Sequence, residues 1–318
     1  MRFDITILGS NSAIPAFGRY LSSQVLSVQN NLYLIDCGEG TQFRIRDFKI
    51  KISKINQIFI SHLHGDHYLG LVGLLGTLNL QGRKETLTIF SPTGLREIVE
   101  AHIKYGETQF GYELEFITVD TLQYQKIFED KLLEVFSIPL KHRIPTAGYL
   151  FKEKPHPKNI KSESIKKFNL SIDQIKAAKA GNDLLTSDGT TIPNNQLTTN
   201  RRRRSFAYCS DTVYTESIIP YIQNVDILYH EATYTDDMKK AAKQYMHSTA
   251  LQAATVAKKA NVGKLVIGHF SSRYESLESL EKEARTAFKD AFAAIEGCLL
   301  YTSPSPRDAT LSRMPSSA

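Results

Sequence analysis

The chain of 318 residues predicts an α/β fold in which two sheets form a sandwich covered by helices. Three observations lead to this class. Short strand-like segments separated by turns fill the beginning of the chain, and strands and helices then alternate up to about residue 150. The alternation resumes after Ser205. Between the two halves, residues 152–204 lose the periodicity at prolines and glycines, which predicts an insertion that protrudes without a core of its own.

The elements of the first half are predicted from apolar and alternating runs. Strands are predicted at 5–8, 24–28, 32–35, 55–60, 87–90 and 132–138, and helices at 69–80 and 93–104. In the second half, strands are predicted at 205–210, 225–229 and 264–268, and helices at 236–245, 249–260 and 276–292. Ser248 is the predicted N-cap of the helix at 249–260. The insertion is expected to hold one or two short helices within 164–180.

The composition is that of a globular protein that works in water. Apolar residues make up 42% and charged residues 23% of the chain. The first ten residues alternate like a strand and do not resemble a signal peptide, and the most apolar segment, 69–80, is too short to cross a bilayer. The three cysteines are odd in number and widely spaced, so we expect no disulfide framework and a cytoplasmic location, with no membrane partner.

The positive charge is concentrated in the insertion. Residues 152–204 contain eight Lys and four Arg against five acidic residues, whereas the rest of the chain has 27 basic and 28 acidic residues. One segment therefore carries the whole net charge of +6. This asymmetry predicts a polyanionic partner for the insertion.

The segment Ser61–His67 reads S-H-L-H-G-D-H and follows the predicted strand at 55–60. His62 and His64 lie two apart in near-extended backbone and are expected to point the same way, whereas Asp66 and His67 lie beyond a glycine and can turn toward a second point. Imidazole and carboxylate groups together suit zinc and similar metals. A short loop that supplies ligands to two adjacent metals is typical of two-metal hydrolytic sites.

Three further candidate ligands follow predicted strands: His142, Asp211 and His269. Because strand ends converge on one rim in α/β architectures, we expect them to join the first loop. In the assignment we predict, one metal is held by His62, His64 and His142, the other by Asp66, His67 and His269, and Asp211 bridges both. We expect two zinc ions per subunit, with manganese or another divalent metal as the alternative. Water between the cations would be the nucleophile, and Asp66 could accept its proton.

Glu231 and His247 form a second candidate pair. The carboxylate could orient and charge the imidazole, which could then protonate a leaving oxygen. The alternative is that these side chains only tie loops together by hydrogen bonds. His102 and His156 have no comparable context and are expected to be ordinary surface residues.

Eight segments together resemble the metallo-β-lactamase superfamily and, within it, the ribonuclease Z family of tRNA 3′-end endonucleases. They read L-G-S-N-S-A-I-P near the N-terminus, I-D-C-G-E-G-T-Q at 35–42, S-H-L-H-G-D-H at 61–67, P-L-K-H-R at 139–143, Y-C-S-D-T at 208–212, H-E-A-T-Y at 230–234, H-S-T at 247–249 and G-H-F-S-S-R-Y at 268–274. The resemblance implies a four-layer αββα sandwich over residues 1–297 and a homodimer. It supports the metal assignment and implies that Glu231 and His247 are the proton-donating pair.

The insertion at 152–204 falls where this family carries a flexible tRNA-binding arm, which implies precursor tRNA as the partner. The resemblance further implies a cut that leaves a 3′-hydroxyl on the tRNA and a 5′-phosphate on the trailer. Basic residues expected to contact RNA are Lys154, Lys158, Lys161, Lys166, Lys167, Arg201, Arg202, Arg203, Arg204 and Arg273. For any single arginine of the run 201–204, a solvated hinge is the alternative.

The chain departs from the family pattern at two places. The arm has no Gly-Pro-rich tip but reads S-I-D-Q-I-K-A-A-K-A-G at 171–181, so the resemblance does not extend to the detailed RNA contacts of the tip. The family chain continues into a final strand after E-G, whereas residues 298–318 diverge, resemble translated vector sequence and are expected to be disordered.

Two other functions fit parts of the sequence. A hydrolase of small molecules or of general phosphodiesters from the same superfamily would explain the metal ligands but not the basic insertion. A non-catalytic RNA-binding relative would explain the insertion but not an intact set of ligands.

Overall fold

The computed structural model of the chain describes residues 2–186 and 189–301, and it contains two seven-stranded sheets. The first sheet has the spatial order β18 (Leu299–Tyr301), β1 (Phe3–Gly9), β2 (Ser23–Val28), β3 (Asn31–Ile35), β4 (Ile55–Phe59), β5 (Leu87–Ser91), β6 (Leu114–Thr118). The second has the order β17 (Ala291–Ala293), β16 (Lys264–Gly268), β15 (Ile227–Glu231), β14 (Ser205–Cys209), β9 (Ala147–Glu153), β8 (Leu133–Pro139), β7 (Gln125–Glu129).

Helices lie outside both sheets, which confirms the predicted αββα sandwich. Those of the first half are α1 (Thr41–Asp47), α2 (Gly65–Tyr68), α3 (Leu71–Leu80) and α4 (Leu95–Tyr105). Those of the second half are α8 (Ile219–Ile222), α9 (Lys239–Gln244), α10 (Ala250–Lys259) and α11 (Glu278–Ala287), and short 3₁₀ helices span Ile52–Lys54 and Asp236–Met238. Among the helices described, none combines the length and the apolar character needed to cross a bilayer.

The core between the sheets is aromatic. The ring of Phe59, on the first sheet, lies 5.3 Å from that of Phe151 and 5.4 Å from that of Tyr149. Phe151 and Tyr149 are on the second sheet, and each ring meets that of Phe59 edge to face. On the outer face of the first sheet, leucines of α3 such as Leu71 and Leu74 pack in a separate apolar cluster. The central strands of the first sheet are therefore buried on both faces, which explains their near-continuous apolar runs.

The strand directions place the ends of three strands side by side. β14, β15 and β16 are parallel neighbours, so the segments after Cys209, Glu231 and Gly268 leave the same edge of the second sheet. β8 has the same direction, since β9 is antiparallel to both β8 and β14. This edge is where ligand sites form in α/β sheets.

The insertion has a small core, contrary to the sequence-based expectation. Its helices are α5 (Ser162–Lys167), α6 (Ile172–Ala180) and α7 (Asn194–Leu197), and its short strands β10 (Asn159–Ile160) and β13 (Thr198–Thr199) pair with each other, as do β11 (Leu184–Leu185) and β12 (Thr191–Ile192). Its buried residues are Leu170, Ala178, Leu184, Ile192 and Leu197. The expectation was wrong because these apolar residues are too widely spaced to give one periodic run. We call residues 157–200 the arm lobe.

Three boundaries also differ from the prediction. Thr249, and not Ser248, caps α10, because its side chain and that of Gln252 form a reciprocal capping box. The helix predicted at 276–292 ends at Ala287, and the following residues form β17. Leu299–Tyr301 were expected to be disordered but pair with β1 as β18. Pairing at the edge of a sheet uses backbone N–H and C=O groups, so it depends little on the side chains of the added strand. The rest of the predicted tail, 302–318, lies outside the described residues.

Gly268 ends β16 where no side chain fits. A Cβ placed there would lie 2.1 Å from the Oη of Tyr229, whose ring is buried and stacks on that of Tyr208. We expect Gly268→Ala to lower the free energy of unfolding by about 1–3 kcal/mol, the usual cost of overpacking a core. Urea unfolding measures the change. Gly76→Ala is the control, because a Cβ at Gly76 meets nothing within 4 Å and alanine favours the surrounding helix; equal losses in both variants would contradict this account.

Candidate metal centre

The predicted ligands of the first metal meet at one point. The Nε2 of His62 lies 3.0 Å from the Nδ1 of His64, which in turn lies 3.2 Å from the Nε2 of His142. His62 follows β4 on the first sheet and His142 follows β8 on the second, so this group closes the gap between the sheets at their common edge. Ligand atoms of these three residues and of Asp211 all lie within 4.8 Å of one another.

The predicted ligands of the second metal also meet. The Nε2 of His269 lies 3.2 Å from the Nε2 of His67 and 3.3 Å from Oδ2 of Asp66. His269 has a φ of 59°, in the left-handed region that residues other than glycine rarely adopt. This backbone conformation lies directly after β16, as is common at functional sites.

Asp211 lies between the two groups, with one carboxylate oxygen toward each. Its Oδ2 is 3.5 Å from the Nε2 of His62 and 3.6 Å from that of His142. Its Oδ1 is 3.4 Å from the Nε2 of His67 and 3.2 Å from that of His269. The structure therefore brings together all seven residues predicted to hold metal, in the two predicted groups.

The hydrogen bonds around the centre leave lone pairs directed inward. The Nδ1 of His67 donates to the carboxylate of Asp36 at 2.7 Å, and the Nδ1 of His142 donates to the carbonyl of Met246 at 2.9 Å. Thr233 donates its proton to Glu231, so its hydroxyl oxygen accepts from the Nδ1 of His269 at 3.1 Å.

A ring that donates its Nδ1–H in this way turns Nε2 to the centre, and in the neutral form that nitrogen carries a lone pair able to bind a metal. Two such nitrogens, of His67 and His269, face each other at 3.2 Å, a repulsive contact unless a positive charge lies between them. Ser61 likewise donates to Asp36 and accepts from His62, whose Nε2 also faces inward. The donor set therefore fits divalent cations held by imidazole and carboxylate.

The electrostatics of the centre agree with cation binding. Burial lowers the pKa of His64 and of His142 to about 4, so both rings are neutral, as ligation requires. Burial would also raise the pKa of Asp211, but the surrounding histidines outweigh it and hold that pKa well below its usual range. For His67, burial lowers the pKa, yet the carboxylates of Asp66, Asp211 and Asp36 together raise it well above its ordinary value. The centre therefore holds ionised carboxylates and favours positive charge.

Sequence reasoning gave no role to Asp36, which is fully buried directly after β3. Its carboxylate accepts from His67, from the backbone N–H of Ser61 at 2.7 Å and from the hydroxyl of Tyr208 at 2.6 Å. A signal was available, since β3 is the parallel neighbour of β4, and a residue after β3 must lie near His62. Asp36 orients His67, the kind of support that usually tunes a metal ligand.

We expect Asp36→Asn to weaken metal binding by about 10–100-fold. The reason is that a neutral amide replaces the charged carboxylate that accepts the Nδ1–H of His67. Competition with a chromogenic chelator measures the affinity. Asp130→Asn is the matched control, because Asp130 also accepts from a tyrosine hydroxyl, that of Tyr33, away from the centre. An unchanged affinity in Asp36→Asn would rule out this supporting role.

Glu231 and His247 are in contact, as the second predicted pair requires. Oε1 of Glu231 accepts from the Nδ1 of His247 at 2.9 Å, and Oε2 accepts from the backbone N–H of Ser248 at 3.0 Å. Burial lowers the pKa of His247, but Glu231 outweighs it and raises that pKa to about 9. The ring centroid of His247 lies 5.1 Å from that of His142 and 5.4 Å from that of His269. Asp211, His247 and His269 also form a group that could bind metal.

The residues predicted to contact RNA fall into different environments. Arg204 is buried and pairs with Glu153, so the prediction was wrong for Arg204, whose guanidinium is occupied inside the protein. Arg202 pairs with Asp226 but is largely exposed. Arg201 and Arg203 lie in the same irregular stretch before β14. His156, expected on the surface, also packs against Glu153, at 3.2 Å; His102 is exposed, as expected.

Several of the predicted lysines have partners within the protein. Nζ of Lys158 and of Lys161 donate to Asn194 and to the backbone of Asn195 inside the arm lobe, and Nζ of Lys154 lies 3.5 Å from Glu129. Lys166 and Lys167 are exposed on α5. Arg273 is exposed and lies over the ring of Tyr234, which is itself 6.3 Å from the ring of His247. Arg273 is therefore separated from His247 by a single side chain, that of Tyr234.

Sequence comparisons relate the chain to two groups of proteins. The profile of the family described as anti-Pycsar protein Apyc1 matches residues 3–155, under half of the chain, and ends before Asp211. A protein of Parabacteroides distasonis named ribonuclease Z is 44% identical over 299 residues, which cover 94% of this chain and 98% of its own. A ribonuclease Z of Cytophaga hutchinsonii is 44% identical over 305 residues, covering 95% and 97% of the two chains.

Solved structures agree with these relatives. The short form of human tRNase Z superposes with a TM-score of 0.68 at 28% identity, over 95% of this chain and 100% of its own. A metallo-β-lactamase fold protein of Bacillus subtilis superposes with a TM-score of 0.66 over 94% of this chain, and its identity of 18% supports the fold alone.

Proposed function

The chain belongs to the ribonuclease Z family, and we propose that it is a zinc-dependent endoribonuclease that removes 3′ trailers from precursor tRNA. The cut leaves a 3′-hydroxyl on the tRNA and a 5′-phosphate on the trailer. The observation that supports this most is the pair of ligand groups spanned by the two carboxylate oxygens of Asp211. It is the arrangement a two-metal phosphodiesterase needs, on a chain whose relatives bear the name ribonuclease Z.

In this proposal His62, His64 and His142 would hold one zinc ion, Asp66, His67 and His269 would hold the other, and Asp211 would serve as a ligand for both. When bound, two such cations polarise the phosphate and lower the pKa of water. The same nitrogen and oxygen ligands can also bind manganese. Measuring the metal content of protein purified without added metal distinguishes zinc from manganese.

The remaining residues act on protons and on the substrate. We assign to Asp66 the acceptance of the proton of the attacking water, because its carboxylate borders the centre, where Oδ2 also accepts from the backbone N–H of Ala13 at 2.8 Å. Glu231 holds the Nδ1–H of His247, which leaves Nε2 to give a proton to the departing 3′ oxygen. We assign to Arg273, which is exposed and lies over the ring of Tyr234, a contact with a phosphate beside the scissile one.

His247→Gln is expected to slow cleavage of precursor tRNA by about 10²–10⁴-fold, the scale of general acid catalysis. Hydrolysis of bis-p-nitrophenyl phosphate should change far less, because p-nitrophenolate leaves without protonation. Steady-state rates on both substrates measure the difference. The metal content should equal that of the wild type; loss of a metal ion would instead make His247 a ligand, in keeping with its place beside Asp211 and His269.

The proposed function is tested by incubating purified protein with a 3′-extended tRNA, with and without a chelator, and mapping both new ends. We expect a 3′-hydroxyl and a 5′-phosphate, with activity lost to the chelator and restored by zinc. A 2′,3′-cyclic phosphate, or cleavage that resists the chelator, would contradict the proposal.

We further propose that the chain works as a homodimer in the cytoplasm, as the family resemblance implies. Sedimentation velocity at micromolar concentration tests the first part, since a dimer and a monomer of 35.8 kDa subunits are well separated. Fractionation of cells that express the protein tests the second part.

A further inference from the structure

The arm lobe is joined to the rest of the protein by two chain segments that run side by side. The insertion leaves the second sheet at the end of β9 and returns at the start of β14, and these strands are antiparallel neighbours with Lys152 opposite Ser205. Beyond them the two segments pair again, as β10 and β13. The lobe packs around its own buried residues, which form a cluster distinct from both large apolar clusters of the sandwich.

A buried ion pair joins the two segments where they leave the sheet. Glu153 is the last residue of β9, and Arg204 precedes β14. Oε2 of Glu153 accepts from the Nε of Arg204 at 2.7 Å and from its backbone N–H at 3.0 Å, and Oε1 accepts from Nη2. Glu153 is 1% and Arg204 8% exposed.

This pair also contacts the first sheet and the segment that leads into the lobe. The guanidinium of Arg204 lies over the ring of Phe3, on β1, at 5.2 Å. The Nε2 of His156 lies 3.2 Å from Oε1 of Glu153. The backbone N–H of Lys154 donates to the carbonyl of Leu132, before β8. The pair therefore holds both segments against two sheets at once.

A buried ion pair contributes little to stability compared with well-packed apolar side chains of similar volume. What such a pair does provide is a defined geometry, because a bidentate contact between guanidinium and carboxylate fixes the relative orientation of both groups. Apolar side chains in the same place would fill the space but would allow the two segments to rotate and slide.

We propose that the Glu153–Arg204 pair sets the direction in which the arm lobe leaves the sandwich and so positions bound precursor tRNA relative to the metal centre. Glu153 and Arg204 are then positioning residues for cleavage and do not touch the substrate. This inference rests on the function proposed above, because it assigns the lobe to RNA binding. Linked contacts strengthen binding only when their geometry lets both form at once, so a loosened lobe should bind the same tRNA more weakly and place it less accurately.

The test replaces the pair without leaving a buried charge, by the double substitution Glu153→Gln and Arg204→Met. Glutamine keeps an acceptor for the backbone N–H of residue 204. The matched control is Glu281→Gln with Arg285→Met, on α11. There the same residue types form an ion pair at 2.8 Å, and Glu281 also accepts a backbone N–H, from Ala293.

We expect the Glu153/Arg204 double variant to raise the KM for a 3′-extended tRNA by about tenfold and to spread the cut over neighbouring positions, as loss of fixed geometry between linked contacts predicts. Its hydrolysis of bis-p-nitrophenyl phosphate and its zinc content should equal those of the wild type. The control should match the wild type in every assay. A wild-type KM and a single cut in the double variant would overturn the proposal, and so would an equal rise in KM in the control.

A second measurement does not depend on RNA. Spin labels at Lys176→Cys on α6 and Lys258→Cys on α10, both exposed positions, report the distance between lobe and sandwich. We expect the distance distribution to be clearly broader in the double variant than in the wild type, with equal resistance of the lobe to proteolysis. Identical distributions would overturn the proposal; faster proteolysis within the lobe would do the same, since the pair would then maintain the fold of the lobe and not its direction. If the protein did not process tRNA, the wild type itself would fail the first assay, while the distance measurement would still test the pair.

Discussion

Replacing Asp211 with alanine is expected to abolish hydrolysis of both precursor tRNA and bis-p-nitrophenyl phosphate, by about three orders of magnitude or more. Each oxygen of this carboxylate faces one ligand group, so its removal takes a ligand from both cations. Electrophilic stabilisation by bound metal supplies several kcal/mol of a phosphodiester cleavage, and each 1.36 kcal/mol is a factor of ten in rate. Turnover of both substrates and metal content per chain measure the effect.

The control for this variant is Asp130→Ala, which removes a carboxylate that binds Tyr33 and the backbone of Leu132 and Leu133, away from the centre. We expect it to keep the metal content and turnover of the wild type. If Asp211→Ala retained two cations per chain and normal turnover, Asp211 would not be the bridging ligand.

Deleting the arm lobe, residues 157–200, and closing the gap with a short Gly-Ser linker should impair processing of precursor tRNA but leave hydrolysis of small phosphodiesters intact. The KM for precursor tRNA is expected to rise on the order of a hundredfold, because backbone phosphate contacts supply much of the affinity for RNA and act together with the catalytic site. Hydrolysis of bis-p-nitrophenyl phosphate should persist. The deletion keeps Glu153 and Arg204 paired, and the lobe's buried cluster is separate from those of the sandwich, so the sandwich should remain folded.

A milder variant tests the same point with the lobe intact. Lys166→Gln with Lys167→Gln removes two exposed charges from α5 and should weaken binding of tRNA while reducing its salt dependence. Wild-type processing of precursor tRNA by the deletion variant would contradict an RNA-binding role for the lobe.

The convergence of the candidate ligands could be predicted from the sequence because it depends on local patterns. The strands before His62, Asp211 and His269 are largely apolar and are followed within three residues by these polar side chains, and the ends of parallel strands meet at one edge of a sheet. The rule applies to Asp36 as well, but finding it required knowing that β3 and β4 are neighbours. A single sequence does not specify strand order, so the partner of His67 was missed.

Other features depend on contacts between distant residues. β17 and β18 are only three residues long, and they form because neighbouring strands offer unpaired backbone groups, not because of their own sequence. The burial of Arg204 was invisible in a run of four arginines, since its partner Glu153 is 51 residues away. Charge composition identified the basic insertion as a unit, whereas only the tertiary structure shows which of its charges are used internally.

The most direct test of the central claim is anomalous diffraction at the zinc edge from crystals of the wild-type protein grown with zinc. Two peaks are expected, about 3.5–4 Å apart as in other two-metal sites. One should be bound by His62, His64 and His142, the other by Asp66, His67 and His269, and an oxygen of Asp211 should contact each. A single peak, or none among these side chains in protein that is active, would contradict the claim that the chain gathers two cations to cleave RNA.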